Sequence, residues 1–315
     1  MDQEEVLWSG LPLSPVEALH RYDVDKVLTT HELNPTLASF AKDQTETTVF
    51  AISGQVSRKD ALRPFARADF SALRAAIDEA RVVKDAYEVA LIRAANGVSA
   101  LAHNAVQDQA RSAIVSNERE LLGTFVGTCI AYGADTQAYP PIVASGLNAA
   151  TLHYVKNDSS LHNKLNVLLD AGAEYRYYAS DVTRTFPASG PSFTIESRNI
   201  YDIVQEMQES CFAMLRAGVL WQDVHMNAHR VVIRGLKRLG LLKGDETELM
   251  DKRVSVAFFP HGLGHHLGLD THDVGGNANR DDPDVMFRYL RLRGDLPKDC
   301  VVTVEPGVCN HPFLS

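Results

Sequence analysis

Four of the chain's twelve histidines, His261, His265, His266 and His272, fall within twelve positions of the stretch 258–276, FFPHGLGHHLGLDTHDVGG, among five glycines. Imidazole near neutral pH binds a metal or moves a proton, and glycine lets a backbone approach a ligand closely. The stretch is a site only if carboxylates converge on it from elsewhere. Asp170 ends the strand-like run Leu165 to Leu169, Asp181 lies in the extended segment 175–186, and Glu305 follows the run 300–304, CVVTV. If the first two runs pair so that positions 170 and 181 are opposed, the two Cβ atoms stand about 5 Å apart. Carboxylates that close repel unless a proton or a cation sits between them. In the alternative register Asp181 faces water, capping Thr183 or pairing with Arg184.

Asp170, Asp181, Glu305 and one histidine make a donor set of oxygens with a single nitrogen, which suits hard or borderline divalent ions rather than a thiolate site. Two such ions about 3.5–4 Å apart activate water and polarise a carbonyl, which is hydrolytic chemistry. His153, alone after Thr151 and Leu152, reads more readily as a packing residue. His225 and His229 stand four apart, a zinc-clasping spacing. However, Met226 occupies the place of the glutamate in the H-E-x-x-H pattern, so they are weak ligand candidates.

Behind these residues the apolar periodicity defines the supporting elements. Positions 85–107 form an amphipathic helix with Tyr87, Leu91, Ala94, Val98, Leu101 and Ala105 on one side, preceded by a helical phase from Asp69. Asn117 and Glu120 suggest a capping box opening a second helix that ends at Gly133. Helices near 196–217 and 223–239 end at Gly218 and Gly240, and 254–259 and 300–304 read as strands delivering the histidine stretch and Glu305. Short strands are expected at Val24–Leu28 and Thr48–Ile52, and charges at 253, 281–284 and 288–295 read as solvated or turn-forming. The outline is helix, helix, strands, twice over.

A net charge of −9 with lysine and arginine dispersed through the chain argues against nucleic-acid binding. Cys129, Cys211, Cys300 and Cys309 form no C-x-x-C pair, so neither a disulfide framework nor a zinc knuckle is expected. The opening residues MDQEEVLWSG lack the features of a secretory signal and no run is long enough to span a membrane, so the expected compartment is the cytoplasm.

Five motifs in order, TLHY at 151–154, LLDAGAEYRYYASDVTRTFP at 168–187, YDIVQEMQ at 201–208, the 258–276 stretch, and VVTVEPGV at 301–308, resemble the pita-bread metallopeptidases. Within them the resemblance is to the Xaa-Pro aminopeptidases and prolidases, particularly the fungal type. It implies an α+β pita-bread fold, with pseudo-two-fold helix-helix-strand halves around a curved antiparallel sheet. It also implies two divalent metal ions, manganese first, with cobalt or zinc as alternatives. By position it makes Asp170, Asp181, His265 and Glu305 metal ligands, with Glu305 also the general base. His261 and His272 become substrate-side imidazoles, and His153 a hydrogen-bonding partner of the substrate or tetrahedral intermediate. His266 acquires no role. The implied substrates are peptides with proline at the second position, cut before that proline. A prolidase restricted to dipeptides and a non-catalytic relative are the alternatives, and a homodimer is implied by the resemblance alone.

Residues 1–75 are expected to be a partial amino-terminal domain and 76–315 a catalytic domain without its last strands. The resemblance implies a further bridging glutamate in an R-x-E-D context, and after E-P-G this sequence reads VCNHPFLS. No motif places His311 or the terminal carboxylate in that role.

Overall fold

In the sequence Asp85-Ala-Tyr-Glu88, the Asp85 carboxylate accepts the Glu88 N–H and the Glu88 carboxylate accepts the Asp85 N–H, a reciprocal cap that starts the longest helix of the chain. The computed structural model describes residues 3–43, 46–57, 59–112 and 114–309. The chain divides into two units, Met1–Ile77 and Asp78–Ser315. In the first, helices α1 (Gln3–Ser9), α2 (Pro15–Arg21) and α3 (Leu33–Asp43) accompany a parallel pair of short strands, β1 (Thr48–Phe50) and β2 (Arg67–Asp69). The strand expected at Val24–Leu28 is absent. Among the described residues that segment has no partner strand to take its backbone groups, and a strand without a partner is not stable.

After α4 (Ala72–Val82) come α5 (Ala86–Arg111) and α6 (Glu118–Ala131), which pack together over a three-stranded antiparallel sheet. Its order is β4 (Ile142–Ser145), β5 (Asn166–Asp170), β8 (Thr183–Pro187). Val98, Ala102 and Val106 of α5 meet Leu121 and Phe125 of α6 and Val143, Val167 and Leu169 of the sheet in one core. Each such buried side chain contributes on the order of 1.5–3 kcal/mol. Asn117 caps α6 through the Arg119 N–H, but Glu120 reaches back to Ser116 instead of completing the expected box. The predicted single strand 175–186 is broken. β3 (Thr136–Gln137), β6 (Ala173–Tyr175) and β7 (Tyr178–Ala179) form a separate small sheet, and the β6–β7 turn places Arg176 and Tyr177 at positive φ.

The second helix pair is α7 (Ile195–Phe212) and α8 (Trp221–Arg238), with α9 (Glu246–Asp251) following. Met207, Cys211, Trp221, Val224 and Val232 join Phe259, Leu263 and Val304 in a second core. The strand expected at 254–259 is instead a 3₁₀ turn over Val254–Ala257, entered through Arg253 at φ +57°. Residues 300–304 are extended but form only isolated bridges, Val83 with Cys300 and His266 with Val302. The extended pairing survives as single hydrogen bonds from Leu267 N to Val301 O, Thr303 N to His265 O and Glu305 N to Leu263 O. The ladder is irregular, and at its centre the His265 N–H goes to the Thr303 hydroxyl, at 3.0 Å, instead of the carbonyl opposite. The acidic and basic run 281–293 is not loose surface charge. Arg253 forks onto Asp284, and Arg293, which is largely buried, binds Asp282 and the Phe287 carbonyl, so this segment is tied down by charged hydrogen bonds.

Candidate metal centre

Asp170 is the last residue of β5 and pairs with Thr183, not with Asp181. The hairpin register therefore differs from the opposed one by two residues. Because strand side chains alternate with period two, the shift keeps Asp181 on the same face, diagonal to Asp170. The Tyr139 hydroxyl binds both, at 2.5 Å from Asp170 Oδ1 and 3.0 Å from Asp181 Oδ1. Between the two aspartates the chain is drawn in by serines. The Ala173 N–H donates to Ser99 Oγ, which lies 2.7 Å from Ser180 Oγ, and Ser180 Oγ donates to the Ala173 carbonyl. A Cβ at Gly172 would collide with the Ser180 carbonyl, so only glycine closes this turn.

His265 and Glu305 arrive from the paired segments 263–267 and 301–305. The Thr303 hydroxyl donates to Glu305 Oε1 at 2.8 Å while accepting the His265 N–H. Asp181, His265 and Glu305 each offer a donor atom, and these atoms lie within 4.8 Å of one another. His265 Nε2 is 3.2 Å from Asp181 Oδ2 and 3.0 Å from Glu305 Oε1, yet neither approach has hydrogen-bond geometry and the buried nitrogen is unsatisfied. Its other nitrogen, Nδ1, lies 2.8 Å from the His266 carbonyl and must donate to it. In the neutral ring Nε2 is therefore a lone pair facing two carboxylate oxygens, an arrangement that repels itself unless a cation lies among them. The residues present fit a divalent metal.

The electrostatics point the same way. Burial and the Asp181 charge push the Asp170 carboxyl up to about 7, against the Tyr139 hydrogen bond. Burial disfavours a charged His265, but Asp181 and Glu305 overcome it and raise the imidazole to about 10. Glu305 is held below the ordinary range because His265, His261 and Thr303 outweigh the burial that opposes ionisation. Burial and the two aspartates carry the Tyr139 phenol well above its usual value. Asp170, His265 and Tyr139 hold protons where a cation would otherwise balance the charge.

Of the other predicted residues, His272 stands edge-on to His265 with ring centroids 4.4 Å apart, and burial and His265 lower it to about 4. His261 packs edge-on to Phe259 and gives its Nδ1 proton to the Gly262 carbonyl. Its Nε2 faces Gly307, two residues past Glu305. His153 is exposed in the turn at 151–153 and shares no hydrogen bond, ion pair or ring contact with the others. His225 and His229 are core residues. His225 Nε2 lies 2.9 Å from the Met286 carbonyl and 3.0 Å from His229 Nε2, and His229 Nδ1 meets Ser255. Burial first of all lowers them to about 4 and about 2, so they are neutral. His311 lies outside the described residues. Tyr139 carries no signal in the sequence, being one tyrosine before two prolines. Arg291, within the charges expected to be solvated at 288–295, is not fully so. It is half-buried near Glu305 and His272, and its pKa is lowered by burial and by Arg280.

The sequence pattern of metallopeptidase family M24 matches residues 90–313. The chain belongs to that family. It is 60% identical over 321 residues to a probable Xaa-Pro aminopeptidase of Talaromyces stipitatus, a match covering all of this chain and 68% of the relative. Among solved structures it resembles aminopeptidase P of E. coli in its low-pH form, with a TM-score of 0.82 and 32% identity, covering 98% of this chain and 69% of that one. The zinc-substituted E. coli enzyme with product matches at the same TM-score and identity over 98% and 70% of the two chains. Proline aminopeptidase P II of Yersinia pestis matches at a TM-score of 0.80 and 32% identity over the same shares. The chain thus has the pita-bread fold of the M24 metallopeptidases.

Proposed function

We propose that the chain hydrolyses the peptide bond between an amino-terminal residue and a following proline, as an Xaa-Pro aminopeptidase. The observation that supports this reading most is His265 Nε2, buried and without a hydrogen bond between Asp181 and Glu305. Asp170, Asp181, His265 and Glu305 would hold divalent metal, with manganese the preferred ion for so carboxylate-rich a set, in a protein of the cytoplasm. Among the described residues no helix is long and apolar enough to cross a membrane. When bound, the metal supplies Lewis acidity to a substrate carbonyl and to water.

The chain's own residues do the rest. Glu305, held ionised, accepts a proton from the attacking water. His272, neutral, donates an N–H toward charge developing on the substrate oxygen. His261, with Nδ1 committed to Gly262, presents Nε2 to the substrate or carries the proton that the departing proline nitrogen needs. His153 reaches the peptide from its exposed turn. The test loads the full chain with manganese, counts bound metal, and compares an Xaa-Pro dipeptide with an Xaa-Pro-Xaa tripeptide. Release of the first residue from the tripeptide is expected. Cleavage of the dipeptide alone would make it a prolidase, and failure on both with metal bound would overturn catalysis.

A further inference from the structure

Asp273 immediately follows His272, and its side chain is 1% exposed, as is that of Lys84, whose Nζ donates to Asp273 Oδ2 at 2.8 Å. Arg81 Nη2 lies 2.6 Å from Asp273 Oδ1 and 2.6 Å from Asp270 Oδ2, so one buried carboxylate is held on each oxygen by a different cation. The surroundings are shaped for this arrangement. A Cβ at Gly268 would overlap Asp273 Oδ2 and Lys84 Cε, and one at Gly275 would overlap Val82. The Asp273 N–H donates at 3.0 Å to the His266 carbonyl, the same oxygen that takes the His265 Nδ1 proton. The strap 81–84 also grips the other arm of the site, since Lys84 N donates to the Asp299 carbonyl and Val83 bridges Cys300, five residues before Glu305.

We infer that the Arg81–Lys84–Asp273 triad is a positioning device for the reaction centre, setting the His272 ring against His265 and holding the carbonyl that orients His265. The inference rests on the aminopeptidase reading of the same site. A buried ion pair is a poor source of stability, since an apolar pair of similar volume is often as stable. Two cations on one buried acid do, however, fix a carboxylate in direction as well as position, because each contributes a directed, charge-assisted hydrogen bond. The side chain so fixed belongs to the residue next to His272.

Lys84→Met, Lys84→Arg, Asp273→Asn and the paired Lys84→Met/Asp273→Leu variants test the inference, since a single removal can unfold the protein while the paired one keeps the site filled. Metal content, Tm, kcat and KM on an Xaa-Pro-Xaa peptide are measured. Side-chain ¹⁵N shifts of the histidines are recorded in metal-free protein. The paired variant is expected to melt within about 5 °C of wild type yet lose about tenfold or more in kcat at little change in KM, as misplacement of a reacting group does. Lys84→Arg should recover most of the loss seen in Lys84→Met. The His265 and His272 signals should move in Asp273→Asn while those of His103 and His225 stay. Adding His272→Ala to Asp273→Asn should cost little beyond His272→Ala alone, because coupled residues are not additive. Multiplying losses, or wild-type kcat in the paired variant, would overturn the inference. If wild type itself cleaves no Xaa-Pro peptide, the function fails, and the histidine shifts alone decide the positioning.

Discussion

Replacing Glu118 by glutamine probes the buried carboxylate beneath the turn that carries His153. Glu118 is fully buried at the start of α6 and, among the described residues, forms no ion pair. Its Oε1 accepts from Ser145 N at 2.8 Å, Ser145 Oγ at 2.7 Å and Asn148 at 3.2 Å, and its Oε2 from Tyr154 OH at 2.8 Å and Ser159 N at 2.9 Å. These five donors bracket the turn at 151–153. Glutamine offers one oxygen and one amide nitrogen. If the oxygen stays on Ser145, the nitrogen faces Tyr154, whose hydroxyl can turn to accept, and the Ser159 N–H, which cannot. One stranded buried N–H costs about 1–3 kcal/mol, and weakening the remaining bonds from charged to neutral adds about 1 more, so about 3 kcal/mol is expected. For a unit of this size that lowers Tm by about 6–12 °C. Thermal melts followed by tryptophan fluorescence check it, because buried Trp221 reports on the same unit.

The sign of the pH dependence is fixed as well. Burial opposes ionisation of Glu118, but its donors prevail and the carboxyl lies below the ordinary range. A depressed acid contributes stability above its unfolded pKa and loses it as pH falls through the folded one. The deficit of the variant should therefore be full at pH 7 and shrink below about pH 4. A Tm drop under about 2 °C at pH 7, or a deficit that grows on acidification, would refute the reasoning.

Two further outcomes concern the proposed metal ligands. Asp170 at about 7 and His265 at about 10 are both raised, so the stability each gives the metal-free fold is present at low pH and lost as pH rises, from about 4 to 7 for Asp170 and from about 6.5 to 10 for His265. Chelator-treated protein should lose Tm between pH 5 and 9, and manganese should restore more of it at pH 9 than at pH 5, because metal displaces those protons. Tyr139→Phe removes the hydroxyl shared by Asp170 and Asp181 and should weaken manganese binding about 10–100-fold, read by calorimetry, with the fold intact.

The four long helices were legible because apolar residues repeat at three and four, and Gly133, read as a helix stop, does follow α6 at positive φ. The details were less so: Tyr87 and Leu101, expected on the buried side of α5, are exposed while Ile92, Ala102 and Val106 are buried, and α7 ends at Phe212, six residues before the expected stop at Gly218. The strands were less legible. A run such as VSVAFF has the composition of a strand, but strands exist only with partners, and Ser255 instead serves the turn and receives His229. Asp170 and Asp181 could be placed on one face from alternation, while their register depended on a β6–β7 turn at Arg176 and Tyr177 that no glycine announces. Glu118, Tyr139 and the Lys84–Asp273 pair were invisible for a different reason. Their partners lie 27 to 189 positions away, and nothing local in a sequence marks such a contact.

The irregular backbone at the centre has a use. In a regular antiparallel pairing the His265 N–H would go to a backbone carbonyl across the strand. Here it goes to the Thr303 hydroxyl, whose own proton is given to Glu305 Oε1. One ladder bond is exchanged for a relay that orients a carboxylate beside the imidazole. On the aspartate side Ser99 takes the Ala173 N–H and Ser180 Oγ adds a bond to the Ala173 carbonyl, next to Gly172. A flawless sheet would satisfy the same donors but leave Glu305 without a directed bond from Thr303. Where the segments 263–267 and 301–305 meet, one backbone pair is thus given up at the position where a carboxylate is oriented.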